Sequence, residues 1–323
     1  MIIFKNLIGI IGLILIMTLT GCNNGTGTNE GIQADSGNRI YFIKMAPLTE
    51  AHGTLCFIYE NSRTVYTVTN RNMTGFSVNE DKTKIVFAEV LSGYSGTFLA
   101  TINIDGSSYQ QNYISGSNPS FGNGDLIYFD DQGTLFSINM DFTGKKQIDV
   151  PVEGTKRFPR LSPDGELLAF YQTSPGSRWY SDDIVFLYTY NLKTGSVSKL
   201  NDASIPVSYH NWSPDGSLIA FSTTTGITPP LYETWVVKAD GSEQPVKITD
   251  AWHPSSGACG FPVYIDDNDF LLVGSTKQKE LNYYSSWDGN HYKYELAKLK
   301  SDGTAVTILL PGISIRNPVF VKR

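Results

Sequence analysis

Basic patches are missing from this sequence. Its 25 lysines and arginines are scattered and outnumbered by 31 acidic residues, for a net charge of −6. A phosphate backbone is gripped by concentrated positive charge, so nucleic acid is excluded as an expected partner. Cysteine is scarce, and three in 323 residues cannot staple a domain of this size. Four histidines occur, none at the H-x-H or H-E-x-x-H spacing of a compact metal site. A G-x-S-x-G nucleophile elbow, a P-loop and a dinucleotide fingerprint are all absent. No cofactor is therefore expected, and no catalytic motif is found.

The long apolar run sits at the start. Lys5 precedes an apolar stretch at 7–17, followed by Leu19-Thr20-Gly21-Cys22. The stretch falls short of the ~20 residues of a membrane span. A basic start, a short apolar run and small residues before a cut site mark an export signal. The Leu-Thr-Gly-Cys string resembles the bacterial lipobox, which implies cleavage after residue 21 and a lipid on the Cys22 thiol. Residues 1–21 are thus expected to be a lipoprotein signal peptide. Residues 22–38, rich in Gly, Asn, Thr and Ser, read as the lipidated cysteine and a flexible tether. Loss of Lys5 with the signal takes the net charge from −6 to −7. The expected location is the cell envelope, anchored to a membrane through Cys22. In a Gram-negative cell that would be the periplasmic side of the outer membrane, since Asn23 is not the aspartate of an inner-membrane retention signal. Otherwise it would be the outer face of the cell membrane.

A repeat announces the fold of residues 39–323. LSPDGELLAF at 161–170 and WSPDGSLIAF at 212–221 lie 51 residues apart. Ser-Pro-Asp-Gly is a turn, with Pro setting φ at one corner and Gly accepting angles that side chains refuse. The apolar run after each turn, ending in Ala-Phe, reads as a buried strand. Such a unit cannot bury both faces alone and must stack against copies of itself. The units holding these two copies start at Pro159 and near Asn211, diverged copies start at Gly75, Pro119 and Pro262, and each ends in a polar hairpin. The hairpin tips are Asp105-Gly106, Thr143-Gly144, Thr194-Gly195, Asp240-Gly241 and Asp302-Gly303. The two chain ends complement each other: IYFIKM at 40–45 lacks a first strand, and PVFVKR at 318–323 lacks the rest of a unit. The expectation is an all-β fold: a six-bladed β-propeller of four-stranded blades, closed by the C-terminal strand completing blade one. Closure removes exposed edges that would invite aggregation.

Ser-Pro-Asp-Gly before an Ala-Phe strand, with a later Thr-Gly or Asp-Gly hairpin, resembles the repeat signature of the TolB-type β-propellers. The resemblance covers about residues 39–323. It is strong in blades four and five, fair in three and six, and weak in one and two. That family pattern is structural and has no catalytic residues to carry over. TolB also has an N-terminal α/β domain that has no counterpart here, so its Tol–Pal role is not carried over.

Topology then sorts the side chains. The Ser-Pro-Asp-Gly turns lie at one face, and the loops joining strands two and three of each blade lie at the other. Those loops are read at 173–183, 223–233 and 276–292. They carry Trp179, Tyr180, Tyr232, Tyr283, Tyr284 and Trp287, and an inter-blade loop adds Trp252. Rigid aromatic rings on loops favour recognition, so these seven are the expected partner-binding residues. The expected function is non-catalytic: a membrane-anchored, monomeric scaffold binding an envelope protein, a peptide or a glycan. The alternative is a metal-assisted polysaccharide lyase or hydrolase using His52, His210, His253 and His291, all placed on the same loop face. Cys56 and Cys259 are expected to be separate buried thiols, because one is read in an outer strand and the other near an inner strand.

Overall fold

In a computed structural model, the residues described are 37–45, 52–173, 185–224, 232–249, 258–265, 270–280, 291–300, 306–310, 313 and 315–322. Apart from a short 3-10 turn at Asn123–Asp125, the described regular structure is antiparallel strand. Blade one contains β1 (Arg39–Met45), β2 (Gly53–Tyr59) and the first half of β3 (Tyr66–Val78). The second half of β3 opens blade two, which continues through β4 (Lys84–Val90), β5 (Thr97–Asn103) and β6 (Gln110–Ser115). Blade three is β7 (Ser117–Phe121), β8 (Leu126–Asp131), β9 (Thr134–Asn139) and β10 (Lys146–Gln147). Blade four is β11 (Thr155–Leu161), β12 (Leu167–Thr173), β13 (Val185–Asn191) and β14 (Val197–Lys199). Blade five is β15 (Val207–Trp212), β16 (Leu218–Thr224), β17 (Tyr232–Lys238) and β18 (Val246–Lys247). Blade six is β19 (Ala258–Tyr264), β20 (Phe270–Glu280), β21 (His291–Lys300) and β22 (Val306–Leu310).

The last strand, β23 (Ile315–Val321), returns to pair antiparallel with β1, Val321 opposite Arg39 and Val319 opposite Tyr41. Blades one and two therefore merge into one seven-stranded sheet, β23-β1-β2-β3-β4-β5-β6, because β3 is long enough to serve both. The described strands thus group into six four-stranded units, consistent with the count of repeats. Each boundary between successive blades holds its own apolar cluster. Tyr41 and Phe57 meet Ile85 and Phe87 between blades one and two. Phe42 and Ile58 meet Val263 and Leu296 between blades one and six, so the ring closes there as well.

Burial on both faces explains the near-continuous apolar runs of the second strands. Along β8, Ile127 and Phe129 pack toward blade two while Tyr128 packs toward blade four. Phe87, Phe129, Phe170 and Phe221 occupy matching places in β4, β8, β12 and β16, and all are fully buried.

The Ser-Pro-Asp-Gly turns are built alike. Ser162 Oγ donates to Asp164 (2.5 Å) and accepts from the Leu167 N–H (2.9 Å), while Asp164 accepts from the Glu166 N–H (3.0 Å). Ser213, Asp215, Ser217 and Leu218 repeat this network at 2.6, 3.0 and 2.9 Å. Gly165 and Gly216 take φ of +77° and +72°, angles that disfavour any other residue. Blade two keeps the geometry with other letters: Asn79 Oδ1 accepts from the Thr83 and Lys84 N–H groups, and Lys82 takes the glycine's place at φ 61°. Serine hydrogen bonds hold Asp164 and Asp215 below the usual carboxylate range. The double substitution Asp164→Ala/Asp215→Ala is expected to cost about 2 kcal/mol, at ~1 kcal/mol per turn, read by urea unfolding. A change below the error of the fit would show that the prolines alone define the turns.

Inner strands carry a second device. Asn118, Phe158 and Asn317 each precede a proline and sit at positive φ (52°, 55° and 48°), where the ladders to β8, β12 and β1 shift register. Proline cannot donate to the ladder, so the strand bulges at that point. The groups freed by the bulges tie neighbouring blades together. The Phe158 N–H donates to Asp130 of blade three (3.0 Å), and the Asn317 side chain donates to the Thr74 carbonyl (3.2 Å).

Candidate functional site

Strand order places the β4–β5, β8–β9, β12–β13, β16–β17 and β20–β21 connections at one face, with the Ser-Pro-Asp-Gly turns and hairpin tips at the other. Most of the expected binding residues fall outside the described residues: Trp179 and Tyr180, Trp252, and Tyr283, Tyr284 and Trp287. Tyr232 differs from expectation. It begins β17 and pairs with Thr224, so it is a strand residue at the base of a shorter loop. The blade-six loop also differs. β20 and β21 continue as a ribbon, with Lys279 opposite Tyr292 and Glu280 opposite His291. The polar sequence STKQKE lacks the apolar alternation that marks a half-buried strand, so it reads as loop.

The histidines are not equivalent either. His52 is half-buried just before β2, His253 lies outside the described residues, and His291 opens β21. His210 corrects the expectation outright. It lies within β15, is 1% exposed, and sits edge-on to Tyr171 of blade four at 6.0 Å. The run Val207-Ser-Tyr-His-Asn-Trp is an inner strand whose His210 turns into the seam between blades. Burial, and secondarily the charge of Arg160, lower its pKa to about 3, against a weak opposing effect of the Ala169 backbone. Neither ring nitrogen has a hydrogen-bond partner of good geometry. Among the described residues, no three His, Cys, Asp or Glu side chains converge as metal ligands.

Arg160 is the hub of this inner region. Its guanidinium donates to the carbonyls of Asn118 (3.4 Å), Pro119 (3.2 Å) and Pro159 (3.3 Å). On its blade-three side lies Asp130, 1% exposed, which accepts from the Asn118 amide at 2.8 Å. Burial raises the Asp130 carboxyl to about 6 even though Asn118, Phe158, Arg157 and Arg160 all favour its charged form. A second buried acid, Glu89, is fully engaged: Arg71 donates at 2.8 Å and the Tyr109 hydroxyl at 2.6 Å, with Arg71 stacked 3.3 Å above the Tyr109 ring. Burial, then the bond to Glu89, pushes the Tyr109 hydroxyl up. Cys56 is a buried free thiol, raised by the same desolvation, in the seam between blades one and six. These groups serve the interior. A cavity of about 400 Å³ opens at the turn face beside Asp215, walled by Leu218, Val236, Val246, Ile248 and Tyr264.

On the loop face, the described exposed rings are in blade two, which the sequence reading passed over. Tyr94, in the β4–β5 loop, is 57% exposed, and Tyr113, in β6, is 64% exposed. Both meet Phe98 of β5, at 5.5 and 6.3 Å between ring centres. The signal was available as a tyrosine bracketed by glycines in LSGYSG at 91–96.

No family model matches the chain. Solved structures do. TolB from Acinetobacter baumannii superposes with a TM-score of 0.65 at 18% identity, over 90% of this chain and 68% of that one. The fold is that of a TolB-like β-propeller. A putative TolB from Agrobacterium tumefaciens agrees (TM-score 0.59, 16% identity, 87% of this chain and 90% of that one). A chain of a nidogen/laminin complex, at 9% identity, superposes with a TM-score of 0.61 over 89% of this chain and all of its own. Identities this low speak for the propeller alone.

Proposed function

We propose that this chain is an exported lipoprotein, anchored through Cys22, whose TolB-like propeller is a non-catalytic binding scaffold in the cell envelope. The observation that carries the reading is the division of labour between interior and surface. The described buried acids are engaged between blades, Asp130 by the Phe158 N–H and Glu89 by Arg71, and His210 is sealed against Tyr171, while exposed aromatic rings stand on the loop face. Aromatic rings grouped together in water, as Tyr94 and Tyr113 are around Phe98, mark recognition surface. The partner is a protein, a peptide or a glycan, met through the face that carries the strand-two-to-three loops.

The test has two readouts on the full chain in a bacterial host. Cys22→Ser is expected to move the protein from the membrane to the soluble fraction and to abolish incorporation of labelled fatty acid. A photo-crosslinking residue at position 94 is expected to capture a partner, and one at position 164 on the turn face is not. Capture from position 164 alone would overturn the assignment of the face. Near-stoichiometric zinc, manganese or calcium in protein purified without added metal, lost on His253→Ala/His291→Ala, would replace the scaffold with the metal-assisted lyase or hydrolase reading.

A further inference from the structure

We propose that Tyr94, Phe98 and Tyr113 of blade two form a carbohydrate-binding site for the sugar rings of a neutral glycan. The inference rests on the scaffold reading above and names what one part of that face takes.

The first argument is exposure. Among the described residues, four large apolar side chains stand substantially in water: Tyr66, Tyr94, Tyr113 and Val246. Two of the four are neighbours here, and Tyr113 is the most exposed of all. The three rings touch pairwise at 5.5, 6.1 and 6.3 Å with interplanar angles of 82°, 45° and 70°. Those separations are the favourable range for tilted and edge-on aromatic pairs, so the rings brace one another while the tyrosines stay open to solvent.

The second argument is backbone conformation. Tyr113 sits at φ 52° inside an edge strand, an outlier for a bulky side chain. Strain of this kind persists where the surroundings enforce it, and it collects at binding sites. The Tyr94 loop is shaped by Gly93 and Gly96 at φ +84° and +95°, and a Cβ on either would meet nothing within 4 Å. These bends lift Tyr94 off the blade without packing anything beneath the glycines.

The third argument is charge. Residues 91–98 and 110–117 contain Ser, Gly, Thr, Gln, Asn and apolar side chains, and no charged one. Glu89, across the ladder from Phe98, is neutralised by Arg71 and the Tyr109 hydroxyl. The nearest charge tied to these segments is Asp131, which accepts from Ser115 at 2.9 Å and is paired with Lys145 at 3.5 Å, so neither sign of charge dominates here. A pyranose ring presents weakly positive C–H groups that suit the negative face of a tyrosine, and its hydroxyls suit the amide of Asn112, exposed next to Tyr113 in the chain. Three rings are also far less than the ~800 Å² that each partner buries in a stable protein interface. They match one or two sugar rings.

The probes are maltohexaose, cellohexaose and chitohexaose, titrated calorimetrically into the full chain. At least one is expected to bind with a Kd between about 0.1 and 5 mM, the weak range of small solvent-exposed sites. Tyr94→Ala is expected to weaken that binding ~tenfold or more, while Tyr94→Phe, which keeps the ring, stays within ~threefold. Tyr113→Asn places a residue tolerant of positive φ, so it should lose binding with an unchanged or higher melting temperature. A structural role for Tyr113 would instead lower the melting temperature. Binding by none of the three, or binding indifferent to Tyr94→Ala and Tyr113→Asn, overturns the glycan assignment. A protein crosslinked from position 94 with no oligosaccharide bound also overturns it, and leaves the scaffold reading standing.

Discussion

Deleting residues 318–323 is expected to lower the melting temperature by about 10–20 °C. The segment is the larger part of β23, whose ladder to β1 joins the two ends of the chain. Its side chains serve two seams at once. Val319 and Val321 pack between blades one and two, and Phe320 packs between blades one and six. At about 1.5–3 kcal/mol for each fully buried side chain, discounted for the partial exposure of Val319 and Phe320, the loss is about 4–6 kcal/mol. In a chain of this size each kcal/mol moves the midpoint by about 2–4 °C. The deletion also leaves the inner edge of β1 unpaired, so the truncated protein is expected to aggregate on heating. Removing only Lys322 and Arg323 is the control, since Lys322 is exposed and past the strand. Unchanged thermal unfolding of the longer deletion would refute closure by the C-terminal strand.

Between pH 4 and 6, Asp130 and His210 pull the stability in opposite directions, and replacing either one unmasks the other. The Asp130 carboxyl moves from 3.8 to about 6 on folding. Across that window the folded chain keeps a proton that the unfolded chain has released, so stability falls as pH rises, by about 3 kcal/mol in all. The His210 imidazole moves from 6.5 to about 3. Between those values the unfolded chain binds a proton that the folded chain refuses, so stability rises with pH, by about 5 kcal/mol in all. The two slopes cancel where the windows overlap. His210→Phe is therefore expected to lose about 1.4 kcal/mol of stability per pH unit on going from pH 4 to pH 6, relative to the parent chain. Asp130→Asn is expected to gain about the same per unit. Denaturant unfolding at half-unit pH steps reads both slopes. Curves for both variants that run parallel to the parent's would mean that neither group is buried in the seams as described.

The two groups share a neighbour. Arg160, on β11, acts on Asp130 from one side and His210 from the other. Its contacts to the carbonyls of Asn118, Pro119 and Pro159 depend on the bulges at Asn118 and Phe158. In the sequence these appear only as Asn-Pro and Phe-Pro at the start of a repeat. A dipeptide signals a break in a ladder, but not which neighbour the freed N–H will reach.

Local chemistry was legible. The Ser-Pro-Asp-Gly turns, the Gly hairpin tips and the apolar second strands depend on residues a few positions apart, and the described structure has them where the letters place them, Asp302-Gly303 alone among the tips lying outside the described residues. The complementary chain ends pointed to closure for the same reason, since a strand without a partner is a local deficit. The aromatic cluster of blade two was harder to see. Tyr94 and Tyr113 lie 19 positions apart and meet only because β5 and β6 fold back past the β4–β5 loop. The Tyr232 and blade-six loop boundaries were misread because a polar strand leaves no apolar periodicity to read.

What the sequence determined by itself is therefore the repeat, the all-β propeller and the place of its turns, because turn geometry and strand burial are set by short-range sterics and solvent exclusion. Which side chains face water and which are sealed between blades was decided by the tertiary structure. His210 shows why. Its neighbours in the chain mark it as the lead-in to a turn, but its pKa and its exposure are set by Tyr171 and Arg160 on the preceding blade, brought there by ring packing that no local pattern encodes.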